Sequence, residues 1–202
     1  LPWYVVFGSP GSGKTTAVRQ SGLNFPLDEI TNGNSLGGIG GTRNCDWWIT
    51  DQAVLLDTAG RYTTQDSDTA HDARGWKNFL ALLRKNRKRQ PINGAVLVVG
   101  TDELLKMGDE EWQRYTQTVA TRLRELVDEV QMDFPVYLLL TKVDLLAGCR
   151  EFFDGLDLDD QNQIWGITPP LNATVEALDP ELEALNRRLH TQIPTKLRYE
   201  RD

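Results

Sequence analysis

Apolar runs alternate along this chain with segments in which apolar residues recur every three or four positions. Four short runs, over residues 3–7, 52–56, 94–100 and 136–140, are apolar almost throughout. Runs of this length are typical of strands that are buried on both faces. Helical spacing follows the first run and recurs around residues 76–83 and 110–130. The alternation predicts a three-layer α/β domain with a doubly wound, mostly parallel sheet.

Three segments depart from this alternation. The β-type runs over 45–50 and 52–56 meet at Asp51, which predicts a hairpin and therefore one antiparallel edge strand. Residues 164–167 predict a last strand. Leucines at helical spacing between 175 and 189 predict a helical C-terminal extension, with Asp179-Pro180 as a kink or a fresh start. We expect one domain, with a nucleotide-binding core over 1–170 and the helical segment over 171–202.

Composition narrows the class of protein. A chain of 202 residues with 40% hydrophobic and 25% charged residues suits one globular domain. Its net charge of −7 argues against a nucleic-acid partner. Two isolated cysteines make neither a disulfide framework nor a zinc site. No apolar run approaches the ~20 residues of a membrane span, and the chain starts without Met, so we expect a piece of a longer protein.

The chemistry begins directly after the first apolar run. Residues 8–15 match the phosphate-loop pattern G-x-x-x-x-G-K-[ST], between a predicted strand and a predicted helix. Successive backbone N–H groups of such a loop surround the phosphates of a nucleotide, Lys14 adds a positive charge, and the Thr15 hydroxyl is suited to Mg²⁺. The predicted nucleotide-binding residues of this loop are Ser9, Pro10, Gly11, Ser12, Gly13, Lys14, Thr15 and Thr16.

A second motif, Asp57-Thr58-Ala59-Gly60, follows the second apolar run, residues 52–56. Ligands gather at the carboxyl ends of the strands in a doubly wound sheet. We therefore expect Asp57 to order the Mg²⁺ shell and Gly60 to direct its N–H at a γ-phosphate. Thr42, at the end of the glycine-rich stretch 33–41, is a candidate sensor that reaches Mg²⁺ and the γ-phosphate when a triphosphate is bound.

A third motif, Thr141-Lys142-Val143-Asp144, follows the fourth apolar run. A carboxylate at Asp144 accepts hydrogen bonds from the ring N–H and the amine of guanine, whereas adenine presents an acceptor there. The lysine stem lies along the base. This favours GTP, although Thr141 stands where an asparagine would be the stronger signal, and ATP remains the alternative.

The residue after Gly60 bears on catalysis. Arg61 neutralises developing charge but does not accept a hydrogen bond from water, as a glutamine at this position would. Gln65, Thr63, Thr64 or a partner protein would have to orient the attacking water. We therefore expect slow hydrolysis, with Lys14, Thr42, Arg61 and Gln65 as the candidate catalytic residues.

The three motifs in this order resemble a Ras-like GTPase fold of the P-loop NTPase class. The sequence between the three motifs is more specific than the motifs themselves. Over nearly the whole chain it is similar to the TssM/IcmF family of type VI secretion. The residues that carry this resemblance are Ser21 to Leu27, Gly41 to Trp48, Leu56 to Asp66, Trp76, Phe79-Leu80, Arg89 to Gly94 and Trp165 to Thr168.

The resemblance implies a cytoplasmic NTPase domain at the bacterial inner membrane, which the parent chain reaches only through flanking segments. It also implies contacts with TssL, with TssJ through the parent chain, and with the baseplate proteins TssK and TssG. A scaffold domain that docks these proteins without needing turnover is the other function we weigh. We do not expect a metal site at Asp68, His71 and Asp72, because an acidic helix start explains their spacing.

Overall fold

A five-stranded sheet is the centre of the fold. The computed structural model describes residues 1–26, 45–64, 69–157, 159, 165–170 and 173–199. The strands are β1 (Trp3–Phe7), β2 (Cys45–Ile49), β3 (Val54–Thr58), β4 (Gly94–Gly100) and β5 (Val136–Thr141), in the order β2-β3-β1-β4-β5. All neighbours pair in parallel except β2, which is antiparallel to β3. The predicted mixed α/β sheet with one antiparallel edge strand is confirmed.

Helices follow most of the strands. They are α1 (Lys14–Arg19), α2 (Arg61–Thr64), α3 (Thr69–Asn86), α4 (Thr101–Leu104), α5 (Asp109–Val130), α6 (Cys149–Phe153) and α7 (Leu178–Tyr199). Pro180 lies in the first turn of α7, where its missing N–H removes no helical hydrogen bond. The Asp179-Pro180 pair is therefore a fresh helix start. No helix within these described ranges is both long and apolar enough to cross a membrane.

The core lies on both faces of the sheet, because successive side chains of a strand point to opposite sides. On one face, Val5 and Leu56 pack with Trp76 of α3 and Leu126 of α5. On the other face, a smaller cluster surrounds Val6, with its members drawn from the central strands, β2 and α1. Helices thus cover both faces of the central strands.

Two neighbouring tryptophans of β2 show the same alternation. Trp48 is 1% exposed and belongs to the core, whereas Trp47 is 39% exposed and packs edge-on against Trp3 at a ring-centroid distance of 5.1 Å. The sequence predicts this opposition, because adjacent strand residues face opposite sides.

Three sequence predictions are wrong. β5 is a strand, but its apolar residues 136–140 are 41–63% exposed, and none of them belongs to either core cluster. The helical spacing over 110–130 predicts a core face that includes Trp112, but this side chain, in the first turn of α5, is 45% exposed, whereas Leu126 near the other end is fully buried. Of the predicted strand 164–167, the described residues Trp165 to Ile167 form no strand.

The described part of the chain divides into two compact units, Leu1–Val143 and Asp144–Asp202. The first unit contains the whole sheet and α1 to α5. The second contains α6, a 3-10 turn at Val175–Ala177 and α7. The predicted division of function at residue 170 stays a prediction.

Candidate functional site

The connection between β1 and α1 passes close to the backbone of β4. Gly8 has φ +153°, and a Cβ atom at this position would lie 2.1 Å from the carbonyl oxygen of Val98. Only glycine fits so close to the neighbouring strand. At the other end of the loop, Gly13 precedes α1 in the left-handed region with φ +86°. The sequence pattern G-x-x-x-x-G therefore corresponds to two backbone requirements of this loop.

Lys14 is bound inside the loop that precedes it. Its Nζ atom donates hydrogen bonds to the carbonyl oxygens of Gly8, at 2.9 Å, and of Ser9, at 2.8 Å. An ammonium group has three protons, so this arrangement leaves one for an anionic ligand. Burial lowers the pKa of Lys14 below the usual lysine value, and the charges of Asp57 and Glu103 partly oppose that shift.

The end of β3 meets the start of α1 at a pair of hard oxygen donors. The Thr15 hydroxyl donates a hydrogen bond of 2.6 Å to a carboxylate oxygen of Asp57, which is fully buried. In the described ranges no group of three His, Cys, Asp or Glu side chains could hold a metal ion by itself. A hydroxyl and a carboxylate nevertheless fit Mg²⁺, which takes few protein ligands and keeps waters and phosphate oxygens.

Gly60 brings the second motif against the first. A Cβ atom at Gly60 would lie 2.5 Å from the backbone nitrogen of Pro10 and 2.6 Å from its Cα atom. The structure therefore unites the two sequence motifs, residues 8–15 and residues 57–60, in one place. The close approach is the physical reason for glycine at position 60.

The residues after Gly60 are anchored to two helices. The Nε atom of Arg61 donates to Asp72 of α3 at 2.8 Å, and its guanidinium lies 5.2 Å from the ring centre of Tyr62. The buried Arg122 of α5 donates its Nε–H to the carbonyl oxygen of Tyr62 at 2.6 Å. These bonds hold α2, so Arg61 has a structural partner in this arrangement.

The end of β5 is joined to the same loop. The Thr141 hydroxyl donates to the carbonyl oxygen of Ser12 at 2.5 Å. Lys142 has φ +58°, an uncommon backbone conformation for a residue other than glycine, and its Nζ donates to Asp102 at 2.9 Å. The Thr141 hydroxyl thus joins the end of β5 to the phosphate loop.

Three further predicted residues are not placed at the phosphate loop by the described part of the structure. Asp144 is the first residue of the second unit, where its carboxylate accepts a hydrogen bond of 2.9 Å from the exposed Arg150. Thr42 and Gln65 fall outside the described residues. Their roles stay predictions.

Sequence reasoning missed the residues that follow β4. The Ser9 hydroxyl, fully buried in the phosphate loop, donates to the carboxylate of Glu103. Burial raises the pKa of Tyr115 on α5, and the negative charge of Glu103 raises it further. The sequence position of these residues could have identified them. Thr101, Asp102 and Glu103 come directly after the carboxyl end of a parallel strand, where ligand sites of such sheets lie.

Comparisons with known proteins give one family. The IcmF-related N-terminal domain matches residues 69–202. The type VI secretion system component TssM1 of Pseudomonas aeruginosa is 46% identical over 208 residues, an alignment that includes all of this chain and 19% of that protein. The chain therefore spans about a fifth of the length of this curated relative.

A distant similarity to a solved structure accompanies these matches. The crystal structure of a probable GTP-binding protein engB aligns with a TM-score of 0.43 and 15% sequence identity, covering 79% of this chain and 74% of the other. A similarity at that level carries no conclusion about function.

Proposed function

The chain belongs to the TssM/IcmF family, and from that premise we propose that it is a P-loop NTPase domain of the Ras-like class. In this proposal, the loop from Gly8 to Thr15 binds a nucleoside triphosphate with Mg²⁺, prefers GTP to ATP and hydrolyses it slowly. The nucleotide state then signals to the assembly of a type VI secretion apparatus.

The single observation that carries the proposal is the position of Lys14. Its ammonium group is buried, is oriented by two carbonyl oxygens of its own loop, and has one proton left to donate. A buried cation without an anionic partner is costly, so a site of this kind favours an anion that completes its hydrogen bonds. A phosphate group is such an anion.

The neighbouring groups suit the rest of a bound triphosphate. Thr15 and Asp57 would hold Mg²⁺, which when bound neutralises the charge that develops on the phosphates. The Gly60 N–H would donate to the terminal phosphate. Thr42 would report its presence, and Lys14 with the loop amides would stabilise the γ-phosphoryl group.

The preference for guanine rests on Lys142 and Asp144. The Lys142 stem is oriented by Asp102 and by its own backbone conformation. Asp144 would exchange its bond with Arg150 for the two donors of guanine, and an exposed ion pair of this kind is worth little. Forming the proposed contact with the base therefore costs little free energy, because only this exposed ion pair is broken.

A scaffold without essential turnover is the second candidate. The anchoring of Arg61 by Asp72, and of Tyr62 by Arg122, favours it, because this arrangement holds the residues after Gly60 in place. In either case we propose a location on the cytoplasmic face of the inner membrane, with TssL, TssJ, TssK and TssG as partners of the parent chain.

Binding by calorimetry tests the proposal. We expect GTP with Mg²⁺ to bind about tenfold or more tightly than ATP, because Asp144 rejects adenine. Chelating the Mg²⁺ should weaken the binding of both nucleotides. Asp144→Asn should lose the preference for GTP, whereas Asp154→Asn, a change of the same charge in the same unit, should keep it.

The outcomes separate the alternatives. Equal affinity of the unmodified protein for GTP and ATP would favour an ATPase of the same architecture. Binding of neither nucleotide would leave the scaffold as the function.

Single-turnover assays test the expected slow hydrolysis. We expect GTP cleavage on the order of 10⁻³ s⁻¹ or slower, because Arg61 does not accept a hydrogen bond from the attacking water. Arg61→Gln should raise the rate about tenfold, and Lys77→Gln, an exposed change on α3, should not alter it. Fast cleavage by the unmodified protein would contradict this explanation.

A further inference from the structure

Three consecutive side chains after β4 contact two different parts of the proposed nucleotide site. β1 and β4 are parallel neighbours, with Phe7 opposite Leu97. The residues that follow each strand therefore emerge side by side at the same edge of the sheet. Thr101, Asp102 and Glu103 occupy the turn and short helix at that edge.

Thr101 is hydrogen-bonded to the end of β5. Its hydroxyl lies 2.8 Å from the carbonyl oxygen of Lys142 and 3.1 Å from that of Thr141. Thr101 is buried, so these bonds are shielded from water. They fix the backbone at the point where Lys142 adopts its left-handed conformation.

Asp102 orients the side chain of Lys142. Its carboxylate folds back over Gly100 and accepts the 2.9 Å hydrogen bond from the lysine Nζ. A Cβ atom at Gly100 would lie 2.6 Å from the other carboxylate oxygen, so glycine leaves the space for this fold. The bond fixes the direction of the lysine stem, which the proposed function places along the base.

Glu103 acts on the opposite half of the site. Its carboxylate accepts the hydrogen bond of the Ser9 hydroxyl. The carbonyl oxygen of the same residue, Ser9, accepts a bond from Lys14. A side chain that holds Ser9 therefore also holds the acceptor that orients the phosphate-binding ammonium.

We infer that Thr101, Asp102 and Glu103 form a positioning segment that aligns the base side and the phosphate side of the nucleotide site. The inference rests on the proposed function and deepens it. None of the three is a catalytic residue, because each acts through Lys142 or Ser9. Asp102 serves recognition of the base, and Glu103 serves recognition of the phosphates.

Two probes separate these two roles. GTP contains base and phosphates, whereas inorganic tripolyphosphate contains phosphates alone. Both are titrated into the intact chain with Mg²⁺, and thermal unfolding of each variant verifies that it is folded. A substitution that merely disrupts the fold would weaken the binding of both probes. A substitution that changes the binding of one probe more than that of the other therefore reports a specific role.

The test of Glu103 compares alanine with glutamine. Both substitutions remove the same charge, but only Glu103→Gln keeps an acceptor for the Ser9 hydroxyl. We expect Glu103→Ala to bind both probes about fivefold more weakly than Glu103→Gln. In a Ser9→Ala background this difference should fall below about twofold, because the shared partner is gone.

The test of Asp102 compares the two probes. We expect Asp102→Ala to weaken GTP binding about fivefold and to leave tripolyphosphate binding within about twofold. Asp109→Ala, an exposed change in the first turn of α5, is the matched control and should alter neither.

Several results would overturn the inference. Equal binding by the alanine and glutamine variants of Glu103, or a difference that persists without the Ser9 hydroxyl, would remove the role of Glu103. An equal effect of Asp102→Ala on both probes would remove the role of Asp102. If the unmodified protein binds neither probe, the proposed function fails and the inference fails with it. If it binds both and the variants match the controls, only the inference fails.

Discussion

Lys14→Ala is expected to raise the dissociation constant for GTP at least about 100-fold. The substitution removes a buried, oriented cation, and charge-assisted hydrogen bonds to phosphate are among the strongest that proteins form. Calorimetry with Mg²⁺ measures the loss. Lys106→Ala, an exposed lysine after α4, is the control and should bind like the unmodified protein.

The fold should survive this substitution. Burial lowers the pKa of Lys14, which means that the folded protein disfavours its charged form relative to the unfolded chain. Removing the charge therefore costs no favourable folding term of its own, and the thermal midpoint should change little. A large fall in the midpoint, or GTP binding close to that of the control, would contradict this account.

The lowered pKa also gives a pH dependence. GTP requires the ammonium form of Lys14, so affinity should fall as the pH rises through a value below 10.5. Over the same interval the free protein should gain stability relative to acidic conditions, because its unfolded chain binds the proton more tightly.

Gly60→Ala is expected to disrupt the phosphate loop and to destabilise the fold by about 2 kcal/mol. The added Cβ would lie 2.5 Å from the Pro10 nitrogen, which is backbone and has no rotamer to change. Either the loop or the end of β3 must move. GTP affinity should fall about tenfold or more as a result. Chemical denaturation and calorimetry measure the two effects.

Gly108→Ala is the matched control for this prediction. A Cβ at Gly108 would meet no atom within 4 Å, and its φ of −79° suits any residue. This variant should change the free energy of unfolding by less than about 1 kcal/mol, because the restricted unfolded chain offsets the poorer N-cap that alanine makes for α5. If Gly60→Ala behaved like Gly108→Ala, the loop and the end of β3 would not be in the contact that the structure shows.

Much of the candidate site follows from local sequence patterns. The phosphate-loop pattern selects Gly8, Gly13 and Lys14, and in the structure the two glycines have positive φ angles and Lys14 donates to the carbonyl oxygen of Gly8. Asp57 and Gly60 are also found by sequence, because both follow an apolar run. These residues act within a few positions of an element that periodicity reveals.

Glu103 shows where local patterns stop. Nothing in the order of residues 100–104 identifies a partner for Ser9, which lies 94 positions earlier. The pairing arises because β1 and β4 are neighbours in the sheet. The order of the strands is set by the packing of the whole chain. The hydrophobic periodicity of one strand does not predict which strand lies beside it.

The sequence by itself determined the elements, the mostly parallel sheet and the two motifs that surround Lys14, since hydrophobic period and backbone-specific glycines are local properties. Only the tertiary structure decided which side chains complete the site and which apolar residues are covered. The exposed face of β5 and the burial of Arg122 both depend on position in the sheet and on helix packing. The contacts that decide this burial join residues far apart in the sequence. They form only when the chain folds, so local sequence patterns do not predict them.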